Sequence, residues 1–558
     1  MSARNAAVCA ALLLCCTLSA TRVSAQVKPP GTQPGQVERQ FEKPPEPSAK
    51  PGSIAIPTTG QTPPPNAAAI KFVLNQLTID GTTVYPADKL RSLYAASLHK
   101  EVSLVDVYRI VDAITARYRN DGYILSQVIV PAQSVENGVI KLQAIEGYIA
   151  DVRVEGATPE LRERVRKYGE KIRKHRPLTA AALERQVLLM NDLPGVVTRA
   201  VLAPSQTPGA SDLVLQVSRH RVAGGISSDN RGSIAQGQQR IFADIEFQNL
   251  FAASRTELRS VTTGTPELNY AALMHEQVLG THGGRLGISG SYVYSRPQEL
   301  SIVPIDLVTK SGTATLTYTH PLIRRRARNL YLHGTFSSFD SSSTVFDVAD
   351  TTERIRDVRL GFTYDFGDGI GGVNIADVEY SQGLQGLGAS TSDDAYLSRP
   401  NGRADFQRAL LYAARIQGLP GSFSMMIATN AQYAFTDLLA PQLFAFGGEL
   451  FGRGYDPSQL LNDHGVAAKL DLRYARTWGG QHQTTLMPYG FFDAGRVWQR
   501  TPLPGIESSQ TATTAGFGVR LQVGMRLSGF VEYAKPLDAP AGLDIDKAGK
   551  VYGGISIH

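Results

Sequence analysis

Two short strings toward the end of the 558-residue sequence combine residue types that can hold charge away from water. They are Gly452-Arg453-Gly454-Tyr455 and Phe491-Phe492-Asp493-Ala494-Gly495. A guanidinium fork in a partly dehydrated interior demands a carboxylate partner, and Gly454 and Gly495 permit close backbone approach. Arg-Gly-Tyr is also short enough to be an ordinary surface turn, so these strings take their meaning from the elements around them.

The other chemistry-bearing residues form no catalytic constellation. All three cysteines, Cys9, Cys15 and Cys16, lie in the first 16 residues, which leaves no thiol downstream for a disulfide, a zinc site or a nucleophile. The ten histidines show no ligand spacing, and no Gly-x-Ser-x-Gly elbow occurs. Asp393-Asp394 lies in a Ser/Thr-rich stretch without further ligands at regular spacing and reads as an external loop. Gly383 to Gly388 lacks the strand, spacing and helix of a nucleotide fingerprint and is assigned to a strand end. The sequence therefore predicts no enzyme, no metal and no cofactor.

Residues 1–25 begin with Arg4, run through an apolar stretch from Ala6 to Leu18 and end in Val23-Ser24-Ala25, the pattern of a cleaved secretory signal. Beyond it no run of 18 apolar residues appears, which excludes a membrane-spanning helix. The net charge of +6 is dispersed along the chain, as a solvated surface requires, and nucleic-acid binding is not expected. Residues 26–68 are dense in proline, including Pro29-Pro30, Pro44-Pro45 and Pro63-Pro64-Pro65, and read as an extended periplasmic tether. Gln36 to Lys43 could form one or two helical turns, but propensity alone cannot hold so short a helix in water, and whether it plugs a lumen is left open.

From Lys71 the order is strand, helix, helix, strand, strand. The second helix, Ser103 to Asn120, places Val107, Ile110, Val111, Ile114 and Tyr118 on one face, and Asp121-Gly122 ends it. The same order returns from Tyr148, with helices Pro159 to Lys174 and Thr179 to Asn191. Residues 69–146 and 147–220 are thus an internal repeat of two small α+β units, each burying a sheet face under two helices.

After Arg219 period-two alternation takes over. Val358, Leu360, Phe362, Tyr364 and Phe366 alternate with Arg359, Gly361, Thr363 and Asp365, and Phe517 to Leu527 repeats the pattern against Gly518, Arg520, Gln522 and Arg526. Alternation alone does not separate a soluble sandwich from a membrane barrel. Runs of about 9 to 11 residues match a tilted membrane span, whereas soluble strands average about 5 or 6. With the export signal, residues 221–558 are predicted to form a transmembrane β-barrel of about 16 to 18 strands at about 20 residues per strand and connection. Arg324-Arg325-Arg326 and Arg328, after a strand Ala314 to Thr319 and a turn at Pro321, are expected in a short solvated periplasmic turn.

The two late motifs, in this order after a duplicated α+β pattern, resemble the two-partner secretion transporters of the hemolysin activator and filamentous hemagglutinin type. That family joins POTRA (polypeptide transport-associated) domains to a sixteen-stranded barrel, and the resemblance covers about residue 69 to the end. It implies that Arg453, at the tip of a loop folded into the lumen, pairs with Asp493 on a barrel strand. Gly452 stands where the family has Val or Ile. Tyr118-Arg119-Asn120-Asp121-Gly122-Tyr123 is similar to the family's helix-to-strand passage, here carried by Tyr118, Gly122 and Tyr123. The terminal His558 replaces the aromatic residue that the barrel assembly machinery usually recognises.

The expected function is an outer-membrane translocator that captures an unfolded hemolysin- or adhesin-like exoprotein with its POTRA domains and passes it through the barrel. Expected partners are that exoprotein, outer-membrane lipid and, during biogenesis, the barrel assembly machinery. Two other readings fit the same elements: a foldase inserting other outer-membrane proteins, and a passive porin or surface adhesin.

Overall fold

A computed structural model describes residues 31–42, 44–49, 61–207, 209–265, 267–297, 306–480, 483–502, 507–540 and 545–558. The expected signal at 1–25 lies outside these residues. No described helix is long and apolar enough to cross a membrane.

The first helix, α1, is only Gln36–Arg39. The first α+β unit follows: β1 Lys71–Val73, β2 Gln76–Asp80, α2 Ala87–Arg91, β3 Glu101–Ser103, α3 Leu104–Asn120, β4 Gln127–Ile129 and β5 Val139–Ile145. The apolar run from Lys71 splits into β1 and β2. β1 pairs with β3, while β2 runs parallel to β5, whose other edge takes β4 antiparallel. Ser103 caps α3 reciprocally with Asp106, which fixes where the helix starts. Its buried face is Val107, Ile110, Val111, Ile114 and Tyr118, packed on Ile140, Leu142 and Ala144 of β5.

The second unit repeats the plan with β6 Tyr148–Glu155, α4 Pro159–Arg173, α5 Ala180–Asn191, β7 Val196–Pro204 and β8 Ala210–Arg219, in sheet order β6-β8-β7. Its core of Ile149, Val165, Tyr168, Ile172, Leu189 and Leu213 also takes in Ala253 from a barrel turn and Val278 from the end of a barrel strand. The unit is therefore packed onto the barrel.

The barrel is β9 Val222–Asp229, β10 Arg240–Gln248, β11 Ser254–Thr262, β12 Leu268–Leu279, β13 Gly284–Ser295, β14 Leu307–Arg324, β15 Arg328–Val345, β16 Val348–Gly367, β17 Gly372–Gly383, β18 Gln407–Gly418 and β19 Phe423–Ala434. After the loop strands β20 Phe444–Phe446 and β21 Leu460–Asn462 come β22 His464–Tyr474 with its continuation β23 Arg476–Trp478, then β24 Thr484–Trp498, β25 Ser509–Val523, β26 Leu527–Pro536 and β27 Lys550–Ile557. Counting β22 and β23 as one interrupted strand, sixteen antiparallel strands close on themselves, β27 pairing with β9. Closure removes the sheet edges that hydrocarbon cannot solvate. Alternation sets the faces: Leu316, Phe362 and Phe517 project outward, and Arg359 and Asp493 inward.

Three expectations require correction. Pro321 lies within β14, where the register shifts against β15, because a residue lacking N–H fits at a bulge. The turn is at 325–327, and it is not merely solvated: Arg324 bonds both carboxylate oxygens of Asp192 at 2.7 Å, and the Arg326 amide donates to Glu184 at 2.7 Å. Residues 31–42 and 44–49 of the supposed periplasmic tether lie inside the barrel, where tertiary contacts hold a helix too short to stand alone, whereas Gln61 reaches the Val128 carbonyl of the first unit at 3.3 Å.

Candidate functional site

The connection from β19 to β22, residues 435–463, folds inward and carries the hairpin β20–β21. Phe446 of β20 lies flat on β24 at Gly495, where a Cβ would come within 2.2 Å of the ring, so only glycine allows this approach. Gly452 has φ +85°, and a Cβ there would sit 2.6 Å from Phe446. This explains the glycine at 452: the loop enters its tip through a left-handed residue pressed on an aromatic ring.

Arg453 and Asp493 are brought together. Arg453 Nη2 and Nε lie 2.6 and 3.0 Å from the two Asp493 oxygens, and the backbone amides of Arg453 and Gly452 donate to Oδ2 at 3.0 and 3.1 Å. The arginine is 4% exposed and the carboxylate 0%. Its guanidinium also lies 3.6 Å from the Phe491 ring centroid and 2.7 Å from Asp471 Oδ1. Glu532, bound by Arg231 at 2.9 Å and by the Tyr489 hydroxyl at 2.7 Å, approaches Arg453 Nη1 to 3.9 Å. The Tyr455 hydroxyl lies 3.0 Å from the carbonyl oxygens of Thr513 and Asp538. Removing one partner of a buried pair typically costs about 3–5 kcal/mol, since the other charge is left unpaired. The loop is thus bolted to the β22–β26 wall. Asp471 and Glu532 escaped sequence reasoning, although Asp471 stands among the inward positions of its strand's alternation.

The outer root of the same loop has a second anchor. Asp463 accepts from Arg399 Nη1 and Nη2 at 2.5 and 2.9 Å and from the Leu438 amide at 2.9 Å, and these bonds outweigh burial to hold its carboxyl below the usual range.

The N-terminal segment occupies part of the remaining lumen. Val37 and Phe41 pack on Val261, Leu268 and Val293, with the Phe41 ring tilted at 44° and 4.9 Å from Tyr270. Gln36 Nε2 donates to the Ala440 carbonyl at 2.7 Å, Arg39 to the Leu443 carbonyl, and Glu38 accepts from Ser311 of β14. Lower down, the Ala49 amide donates to Asp365 at 2.6 Å. A cavity of about 830 Å³ remains between this segment, the loop and the wall.

Tyr118, Gly122 and Tyr123 lie away from this lumen, in the first unit. The Tyr118 hydroxyl bonds Thr82 and Glu146, both at 2.9 Å, and its ring stacks edge-on with Tyr85 and Tyr123. Gly122, at φ +95°, ends α3, and its carbonyl accepts from the Ala180 amide at 2.8 Å, tying the first unit to the second. The second unit is in turn held to the barrel by Arg324–Asp192, by Lys171 on the Thr281 carbonyl at 3.0 Å and by Asn249 on the Pro194 carbonyl at 2.6 Å.

Residues 72–147 match the model of the ShlB-type POTRA domain, and residues 209–521 match that of the haemolysin secretion/activation protein ShlB/FhaC/HecB. The heme/hemopexin transporter protein HuxB of Haemophilus influenzae is 23% identical over 92% of both chains. The outer membrane transporter CdiB of Dickeya dadantii is 22% identical over 85% of this chain and 84% of its own. The fold is similar to CdiB from Escherichia coli, with a TM-score of 0.72 at 19% identity over 94% of each chain. It is also similar to CdiB from Acinetobacter baumannii, with a TM-score of 0.60 at 16% identity over 93% of this chain and 95% of that one.

Proposed function

The chain belongs to the family of haemolysin secretion/activation proteins ShlB/FhaC/HecB, and from that premise we propose how its parts divide the work of two-partner secretion. The protein is an outer-membrane translocator that exports an exoprotein partner through its barrel, with its N-terminal α+β units in the periplasm.

Both α+β units act as POTRA domains. Their sheet orders leave β2 and β4, and β6 and β7, as edge strands to which an unfolded client can add a strand of its own. At rest the lumen is closed by two occupants, the 31–49 segment and the 435–463 loop. The first leaves to make room, and the second stays as a scaffold held by Arg453 and Asp493. Folding of the cargo outside supplies direction without ATP. A hemolysin- or adhesin-like exoprotein is the expected cargo, outer-membrane lipid surrounds the apolar outer face, and the barrel assembly machinery inserts the chain.

The observation that carries this reading is a closed sixteen-strand barrel whose lumen holds a piece of the chain's own polypeptide on a few hydrogen bonds. Deleting the gene and comparing secreted proteins tests it: one large exoprotein should vanish from the medium. An unchanged medium with depleted outer-membrane barrels would point to a foldase instead.

A further inference from the structure

The inner wall differs around its circumference. On β13–β15 the inward positions Ser289, Ser291, Thr313, Thr315, Thr317 and Thr335 form a half-buried run of hydroxyls, with the inward Arg285 and His333 set nearer the turns at 280–283 and 325–327. The outward positions of the same strands include the exposed apolar side chains Ile288, Tyr292 and Leu316, the last between Thr315 and Thr317. On one side, beyond β12 with its inward Ala272 and Met274, the inward face turns ionic at Glu257 and Arg259 of β11, and on the other side at Asp357 and Arg359 of β16, each pair bonded along its own strand. The far wall, β22–β26, is covered by the bolted loop.

The hydroxyls bond across strands, Ser289 to Thr315 at 2.6 Å and Thr317 to Thr335 at 3.0 Å. Each hydroxyl has one proton and two lone pairs, so such a pair keeps a donor and acceptors to spare. A second observation says what this wall accepts: the chain's own polypeptide is seated beside it. Glu38 bonds Ser311 of β14, and the lumen cavity is bounded on one side by Thr313 and Phe339 and on the other by Glu38 and Phe41.

We propose that the hydroxyl wall of β13–β15 is the surface along which the extended cargo passes, its backbone N–H and C=O groups exchanging short-lived hydrogen bonds with the serines and threonines. A moving chain must satisfy its backbone polar groups at every step. Neutral hydroxyls do so without the strong, charge-assisted bonds that would arrest it. Recognition here is of the backbone and tolerates any cargo sequence. The 31–49 segment holds the place that the cargo takes.

This inference rests on the secretion reading, and the test separates the two. The cargo probe is the exoprotein lost from the medium on gene deletion, carrying one cysteine and fused to a stably folded C-terminal domain so that it stalls. The transporter has no cysteine after Cys16, so single cysteines report cleanly. Thr315→Cys and Thr317→Cys should form disulfides with stalled cargo, whereas Leu316→Cys, on the lipid face, and Asn430→Cys, inward on β19, should not. Cross-linking through Leu316 or Asn430 in preference to Thr315 and Thr317, with cargo still secreted, would overturn the path. Loss of no exoprotein on deletion would instead overturn the secretion reading. The double variant Thr315→Arg/Thr317→Arg should lose export while its barrel remains folded by heat-modifiable migration. Unchanged export would also overturn the path.

Discussion

The two occupants of the lumen are held by different physics. The 435–463 loop is fixed by a buried arginine that meets Asp493, Asp471 and an aromatic face, so withdrawing it would strand charges in a site shut off from water. The 31–49 segment is held by side-chain bonds to two loop carbonyls and one serine, by the Ala49 amide on Asp365 and by a small apolar patch around Phe41. The neutral Gln36 bond is worth about 0.5–1.5 kcal/mol and those of Arg39, Glu38 and Asp365 about 1.5–3 kcal/mol each, and water can replace every one of these partners once the segment withdraws. One occupant is built to stay and the other to leave, and a channel that must open without losing its scaffold needs both.

The sharpest break of this contrast is Asp493→Ala. It should lower barrel stability by about 3–5 kcal/mol, read as a lower unfolding midpoint in detergent, and abolish secretion. A variant that secretes normally with unchanged stability would remove the loop from its scaffold role. Next in size, deleting 31–49 should leave the unfolding midpoint of the barrel near that of the parent while raising single-channel conductance in planar bilayers. Equal conductance would mean that the segment is no plug.

Asp192→Ala should act at the other end of the molecule. It leaves Arg324 unpaired at the seam between the second unit and the barrel, at a cost of about 1–3 kcal/mol. Amide exchange around Ala253 and Val278 should quicken while the strands above stay protected.

The smallest effect concerns pH. The Tyr85 hydroxyl, and then Arg117, hold the exposed Asp121 carboxyl below its ordinary value. A depressed carboxylate contributes stability above its unfolded value, and that contribution is lost as pH falls through the folded value. The first unit should therefore loosen slightly below about pH 4, followed by tyrosine fluorescence, and Asp121→Asn should flatten that part of the profile.

Much of the fold could be read locally. The apolar face of α3, the repeat of two helices over a sheet and the alternation of the barrel strands each depend on neighbours three, four or two residues away, and the structure has them at those positions. What escaped depends on distant partners. Pro321 looks like a turn until β15 is seen beside it; Arg324 looks solvated until Asp192 arrives from another unit; Gln36 to Arg39 is too short to be a helix until the lumen encloses it.

The sequence by itself determined a strand-built membrane domain after a duplicated α+β half, because binary pattern and span length are properties of contiguous residues. Its resemblance to a family also named Arg453 and Asp493 as a pair. Only the tertiary structure decided that Asp471 and Glu532 join that pair, that glycine at 452 yields to Phe446, and that the proline-rich segment lies in the lumen. These rest on contacts across tens to hundreds of residues, and local periodicity carries no record of which chain segments meet when a barrel closes.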